Sequence, residues 1–281
     1  MKDRLSRRDV LRAVAGSGLA AGVVATAGCL GGGSDDVAGW PQFGHDAANT
    51  GYAPDEPAVV GDVATEWTFP GVGRITASPA VADGTVYLGT ATGVAAVSAS
   101  DGSVEWRSDP KPATPSIAVT GDTVYAFDVN RGTVYAVDRA EGSERWSFDI
   151  GSVFSDIDFE VTTPNVDGVG ETVYVGNREG TVYAVDAADG TERWSFETDN
   201  RVFGSPTVTD GTVYVGGDER MLALDAADGT EEWWFDTPGS PLSPAVVDGV
   251  VYAVDAAPEA VVYAVDATEG TEEWSFEIGN A

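Results

Sequence analysis

The sequence predicts an all-β fold, a β-propeller of four-stranded antiparallel blades, with about five complete blades and an extra N-terminal strand. Three observations predict it: tryptophan recurs at a near-constant interval, one phrase surrounds it, and Asp-Gly pairs separate short β-rich runs. Trp67, Trp106, Trp146, Trp194, Trp233 and Trp274 are spaced by 39, 40, 48, 39 and 41 residues. A period of about forty residues holding four short strands is that of a propeller blade.

The phrase is fullest at TVYAVDAADGTERWSF, which carries Ala184, Asp186, Gly190 and Trp194. It returns with Trp146, Trp233 and Trp274, and with Trp106, where Ser98 replaces the aspartate. Upstream of it lie SPAVADGTVYLG, SPTVTDGTVYVG and SPAVVDGVVYAV, which supply the first two strands of a unit. Asp83-Gly84, Asp210-Gly211 and Asp248-Gly249 separate strands one and two; Asp101-Gly102, Asp189-Gly190 and Asp228-Gly229 separate strands three and four. Glycine accepts the positive φ of a tight turn, so these are hairpins. Runs such as Val-Tyr-Ala-Val do not alternate strictly, as expected of a sheet covered on both faces. Trp67 reads as the outer strand of a further blade whose other strands would have to follow Trp274. A five- or six-bladed ring, an open arc, and closure by the N-terminal segment all stay open.

Composition narrows the partners. The chain has 281 residues, with 46 Asp plus Glu against 15 Lys plus Arg, a net charge of −31. Nucleic acid is excluded as a natural partner by that sign. Eight Trp, nine Tyr and ten Phe in regular β-rich patterns argue for a folded chain rather than acidic disorder. Lys2 and Lys111 are the only lysines. This bias resembles that of proteins from extremely halophilic archaea, whose exposed carboxylates hold water and cations while salt screens their repulsion.

Residues 1–28 read as an export signal, 29–39 as a lipid-anchored flexible tether and 40–281 as the propeller. Ser6, Arg7, Arg8, Asp9, Val10 and Leu11 resemble the twin-arginine export motif, and residues 13–27 form an uncharged run too short to span a bilayer. Thr26, Ala27, Gly28 and Cys29 resemble a lipobox, with Thr26 where a bulky aliphatic is usual; Cys29 would carry the lipid. The expected location is the outer face of the cell membrane. Cys29 is the only cysteine, so no intrachain disulfide can form.

The spacing Ala-x-Asp-x-x-x-Gly-x-x-x-Trp resembles the docking motif of the pyrroloquinoline-quinone-like repeat propellers, in which the indole packs between neighbouring blades. The resemblance assigns blade docking to Trp106, Trp146, Trp194, Trp233 and Trp274. Trp40, Pro41, Phe43, Asp46, Thr50 and Gly51 likewise resemble the opening segment of such proteins. It also implies a comparison with quinoprotein dehydrogenases, which hold quinone with a vicinal disulfide, a stacking Trp and a calcium ion bound by Glu and Asn. One cysteine cannot supply that disulfide, and no matching calcium constellation is evident. No cofactor is therefore expected, neither the quinone nor calcium, and no catalytic residue is assigned. His45, the only histidine, has no nucleophile motif beside it. The Asp-x-x-Asp-Gly turns lack the ligand spacing of calcium loops. Asp156, Asp158 and Glu160 would share one face if extended, an arrangement open to a cation or to solvent.

Blade topology sorts the charges. Turns joining strands one to two and three to four gather Asp83, Asp122, Asp210 and Asp248 on one face, with Arg139 as the expected lone base. The opposite face receives Arg131, Arg178 and Arg220 between strands two and three, and Arg74, Lys111 and Arg201 in loops entering new blades. Arg74, Arg201, Arg131, Arg178 and Arg220 form the candidate ligand face, for a protein or anionic glycan partner. The expected function is a non-catalytic, lipid-anchored binding or assembly scaffold; a quinoprotein-like oxidoreductase and a sensory or structural surface module are the alternatives.

Overall fold

A computed structural model describes residues 39–40, 46–49, 64–69, 74–75, 78–108, 116–128, 130–151, 165–166, 170–255 and 260–278, the first pair as backbone alone. These lie in the compact unit Gly33–Ala281. The signal, Cys29, His45, Lys111 and the 156–160 carboxylates lie outside the described residues.

The fold is all-β, with five antiparallel sheets in chain order. Blade 1 holds β1 (Gly39–Trp40), β2 (Ala80–Ala82), β3 (Thr85–Thr90), β4 (Gly93–Ser98) and β5 (Val104–Arg107). Blade 2 holds β6 (Ile117–Thr120), β7 (Thr123–Asp128), β8 (Thr133–Asp138) and β9 (Glu144–Asp149). Blade 3 follows with β10 (Asn165–Val166), β11 (Thr172–Gly176), β12 (Thr181–Asp186) and β13 (Glu192–Glu197). In blade 4 come β14 (Val202–Thr209), β15 (Thr212–Gly217), β16 (Arg220–Asp225) and β17 (Glu231–Asp236). Blade 5 ends the series with β18 (Ala245–Val247), β19 (Val250–Asp255), β20 (Val261–Asp266) and β21 (Glu272–Glu277). Residues 64–69, where the sequence places an extra outer strand around Trp67, join no sheet; an N-terminal strand occurs instead as β1, which pairs with β2 at the inner edge of blade 1.

Burial follows position in the blade. All six residues of β7 are buried, as expected of a strand covered on both faces. In the outer strand β13 only Trp194 is buried. Apolar clusters therefore form between blades: Tyr87 and Trp106 pack with Val119, Val124 and Tyr135 of the next blade, and the pattern repeats through Trp146, Trp194 and Trp233.

The repeated phrase encodes that junction. Ala184 lies opposite Trp194, is fully buried, and is followed by a β-bulge; the same shift follows Ala96, Ala136, Ala223 and Ala264. Asp186 then accepts the Ala188 N–H through its side chain while its backbone carbonyl accepts from Gly190. Gly190, at φ +75°, lies directly under the Trp146 ring of the preceding blade, where an added Cβ would come 2.7 Å from a ring carbon. Trp146 Nε1 donates to Ala187 O at 2.9 Å. Alanine makes room, aspartate shapes the turn, and glycine receives the indole.

Candidate functional site

The arginines of this end come from two places, Arg131, Arg178 and Arg220 from the turns between strands two and three, where Arg220 opens β16, and Arg74 and Arg201 from the loops entering blades 1 and 4. Arg74 and Arg201 occupy equivalent places, because each backbone carbonyl accepts an N–H from the two-to-three turn of its own blade: Ala91 N to Arg74 O and Asp218 N to Arg201 O, both 3.1 Å. Arg201 also donates to both oxygens of Asp218, at 2.9 and 3.3 Å. Arg131 pairs with the buried Asp128 at 3.2 Å. Arg220 pairs with Asp236 at 3.3 Å and lies over the Trp234 ring, 5.6 Å from its centroid. Arg74 is exposed, and Arg178 is half-buried.

Arg131, Arg201 and Arg220 thus have carboxylate partners, yet Arg131 and Arg201 keep 62% and 56% of their side chains exposed. The Arg201–Asp218 pair, open to solvent on the arginine side, contributes about 0–1 kcal/mol. A cleft of about 50 Å³ opens beside this pair between blades 3 and 4, lined by Phe196, Thr198, Asn200, Gly217 and Arg220 among others.

The opposite face is less uniformly anionic than the sequence suggested. Arg139 donates to Asp83 at 2.8 Å and to Tyr87 Oη at 2.9 Å, but it is not the only base there. Arg145 bridges Asp122 and Asp138 at 2.6 and 2.7 Å, and Arg193 holds Asp186 at 2.9 Å. These bonds hold the Asp122, Asp138 and Asp186 carboxyls below the usual carboxylate range. Ser103 and Thr230 do the same for Asp101 and Asp228 in their turns.

The inner strands converge on residues 46–49, a feature the sequence signalled only as an opening segment. Val208 N donates to Ala47 O at 2.8 Å and Val246 N to Ala48 O at 3.0 Å. The buried Asn49 donates to Thr207 Oγ1 at 2.6 Å, and Asn165 reaches Ala47 O at 3.2 Å and Asn49 Oδ1 at 3.4 Å. One short stretch therefore ties together the inner strands of blades 3, 4 and 5. Asn49 itself stands at φ +54°, a conformation asparagine tolerates better than most residues.

Among the assigned docking residues, Trp106, Trp146, Trp194 and Trp233 each sit in a blade junction. Trp67, read as an outer strand, docks in the same way, donating to Ala99 O at 2.8 Å and covering Gly102. Trp274 meets no following blade among the described residues and is 44% exposed.

The repeated junction agrees with the family comparison. A family model described as outer membrane protein assembly factor BamB matches residues 58–148 and 133–281. The chain belongs to this family. The crystal structure of BamB from Moraxella catarrhalis superposes with a TM-score of 0.65 at 19% identity, covering 76% of this chain and 68% of that one. Quinohemoprotein alcohol dehydrogenases share the fold as well: that of Comamonas testosteroni with a TM-score of 0.68 and ADHIIG of Pseudomonas putida HK5 with 0.61, each at 19% identity. They cover 86% and 85% of this chain, which spans about half their length, 49% and 48%. A curated relative, the serine/threonine-protein kinase AfsK of Streptomyces griseus, is 41% identical over 71 residues, 23% of this chain and 9% of its own length. The likenesses at 19% identity carry the BamB-type propeller fold and nothing finer.

Proposed function

We propose that this BamB-family protein is a non-catalytic binding or assembly scaffold, exported through a twin-arginine signal and held at the outer face of the cell membrane by a lipid on Cys29. The observation that carries the reading is the place of residues 46–49: the inner strands of blades 3, 4 and 5 spend their hydrogen bonds on the chain's own backbone and on Asn49. The surfaces left for a partner are the turns and the blade faces. Of these, the end bearing Arg74, Arg131, Arg178, Arg201 and Arg220 suits carboxylate or sulfate groups of a protein or glycan, through the planar guanidinium.

Quinone chemistry is supported by the fold likeness to the two dehydrogenases. The residues do not fit that cofactor: a single cysteine forms no vicinal disulfide, and Asn49, Asn165 and Thr207 are bonded to one another at the inner strands. A sensory or structural surface module remains the reading if the partners are membrane proteins. The test is affinity capture from native membranes in molar salt, with the full chain and its Arg74→Ala/Arg201→Ala variant. Loss of captured partners in the variant supports the arginine end, and unchanged capture removes it. Cys29→Ala should move the protein from the membrane to the soluble fraction. A quinone chromophore bound after addition of quinone and calcium would overturn the scaffold reading.

A further inference from the structure

Blade 4 departs from the repeat at two facing positions, and a cleft opens there. In blades 2, 3 and 5 the third strand carries Tyr135, Tyr183 and Tyr263, opposite Ser147, Ser195 and Ser275 of the outer strand. The tyrosine rings of blades 3 and 5 stand edge-on to the phenylalanine of the preceding blade, Phe148–Tyr183 at 5.5 Å and 69°, Phe235–Tyr263 at 5.4 Å and 66°. Each serine donates to the glutamate three residues before it, Glu144, Glu192 or Glu272, at 2.8 to 3.0 Å. In blade 4 the facing pair is Leu222 and Trp234.

Both replacements change what surrounds them. With Leu222 in the tyrosine position, Phe196 of blade 3 meets no ring or guanidinium among the described residues, and Phe196 and Leu222 both line the cleft between blades 3 and 4. In blade 1, where Ala95 takes the same position, the Arg107 guanidinium covers Phe69 at 6.0 Å. Blade 4 supplies no such cover, because Trp234 is 52% exposed and holds Arg220 over its own ring. Glu231, on the wall of the cleft, has also lost the serine donor that its counterparts keep.

We propose that the cleft between blades 3 and 4 is a docking site for a tyrosine side chain of a partner polypeptide, seated edge-on to Phe196 as Tyr183 and Tyr263 are to Phe148 and Phe235. The sister junctions specify the ring, and the freed carboxylate specifies its hydroxyl. A ring placed like Tyr263 brings its hydroxyl to the side of Glu231, the counterpart of Glu272; burial, then the charges of Asp255, Glu272 and Glu277, push the Tyr263 hydroxyl up. An edge-on aromatic pair contributes beyond the area it buries, and its burial is not screened by salt. The inference rests on the scaffold reading for a protein partner and names the group that partner offers.

The test uses the full ¹⁵N-labelled chain in molar KCl and the unlabelled peptide acetyl-Gly-Ser-Tyr-Ser-Gly-amide. The Trp234 indole signal, beside Leu222, should shift saturably, with a Kd on the order of 1 mM. Peptides with leucine or arginine in place of the tyrosine should bind at least about tenfold more weakly. Leu222→Tyr fills the cleft with the residue of the sister blades, and Leu222→Tyr/Trp234→Ser restores their whole pair. Both should abolish saturation transfer from the chain to the peptide's ring protons while the other indole signals stay in place. Absence of binding by the tyrosine peptide, equal or tighter binding by the leucine or arginine peptide, or undiminished binding to Leu222→Tyr would overturn the proposal. So would sedimentation of the chain alone as a dimer that Leu222→Tyr dissociates, since a second copy would then be the occupant. Failure of the parent chain to capture any partner from membranes would remove the scaffold reading instead, and leave the peptide result standing.

Discussion

At Gly229 the Trp194 ring fills the place of a side chain, 2.6 Å from where a Cβ would stand, and φ is +74°. Gly229→Ala therefore meets both a clash, about 1–3 kcal/mol, and an unfavourable backbone, about 1 kcal/mol. Denaturant unfolding in molar salt should show a loss of about 2–4 kcal/mol. Gly211, under which nothing lies within 4 Å, isolates the backbone part alone. Asn49 makes the second prediction. Its removal takes one bond each from Thr207, which keeps Pro244 O, and Asn165, which keeps Ala47 O, so Asn49→Ala should cost about 1–3 kcal/mol for the two lost bonds in the same measurement. Glycine at a turn was legible because the spacing repeats. That each glycine lies under the tryptophan of the preceding blade was not, because spacing along one chain does not say which neighbour a ring leans on. Asn49 was less visible still; its partners lie more than 110 residues away.

Between elements, the Arg145 and Arg193 pairs connect the outer strand of a blade to the turn before it. Asp138 and Asp186 are held below the ordinary carboxylate range by these guanidinium hydrogen bonds. A lowered folded value adds stability above the unfolded carboxylate range, near pH 4, and loses it as pH falls through the folded value. Both pairs lie at the surface with 26% to 39% of each side chain exposed, so each contributes no more than about 1 kcal/mol. Arg145→Ala/Arg193→Ala should accordingly be less stable than the parent at pH 7, and the gap should close by about pH 2, read from denaturant midpoints at the two values. The two-residue Asp-Gly hairpins were read correctly because glycine accepts the positive φ a tight turn needs; Asp83-Gly84 has positive φ at both residues. The three-to-four turns are longer, and their bulge brings Arg193 back onto Asp186, a contact seven residues apart that hairpin reading does not foresee. Arg139 was found as a base on that face, and Arg145 and Arg193 were missed, for this reason.

Across the whole molecule, five blades were legible from the tryptophan period and the phrase around it; the inner strand β1 was not, because the extra strand was expected at Trp67. Trp67 was visible as a tryptophan without its blade; that Trp274 has no indole acceptor among the described residues required the packing. Charge also acts at this scale. With a net charge of −31, mutual repulsion is confined to about 3 Å at 1 M salt and reaches about 30 Å at 0.01 M. Dialysis from molar to millimolar KCl should therefore abolish the far-UV β-sheet spectrum, and an unchanged spectrum would refute the screening argument. The central claim is that one docking arrangement, made five times among the described residues, builds the molecule, with Trp274 outside it. Solvent exchange of the indole N–H groups, followed by ¹⁵N NMR in molar KCl, tests it in one experiment. Trp67, Trp106, Trp146, Trp194 and Trp233 should exchange slowly and Trp274 rapidly, in company with the exposed Trp234; a Trp274 indole as protected as the other five would contradict the account.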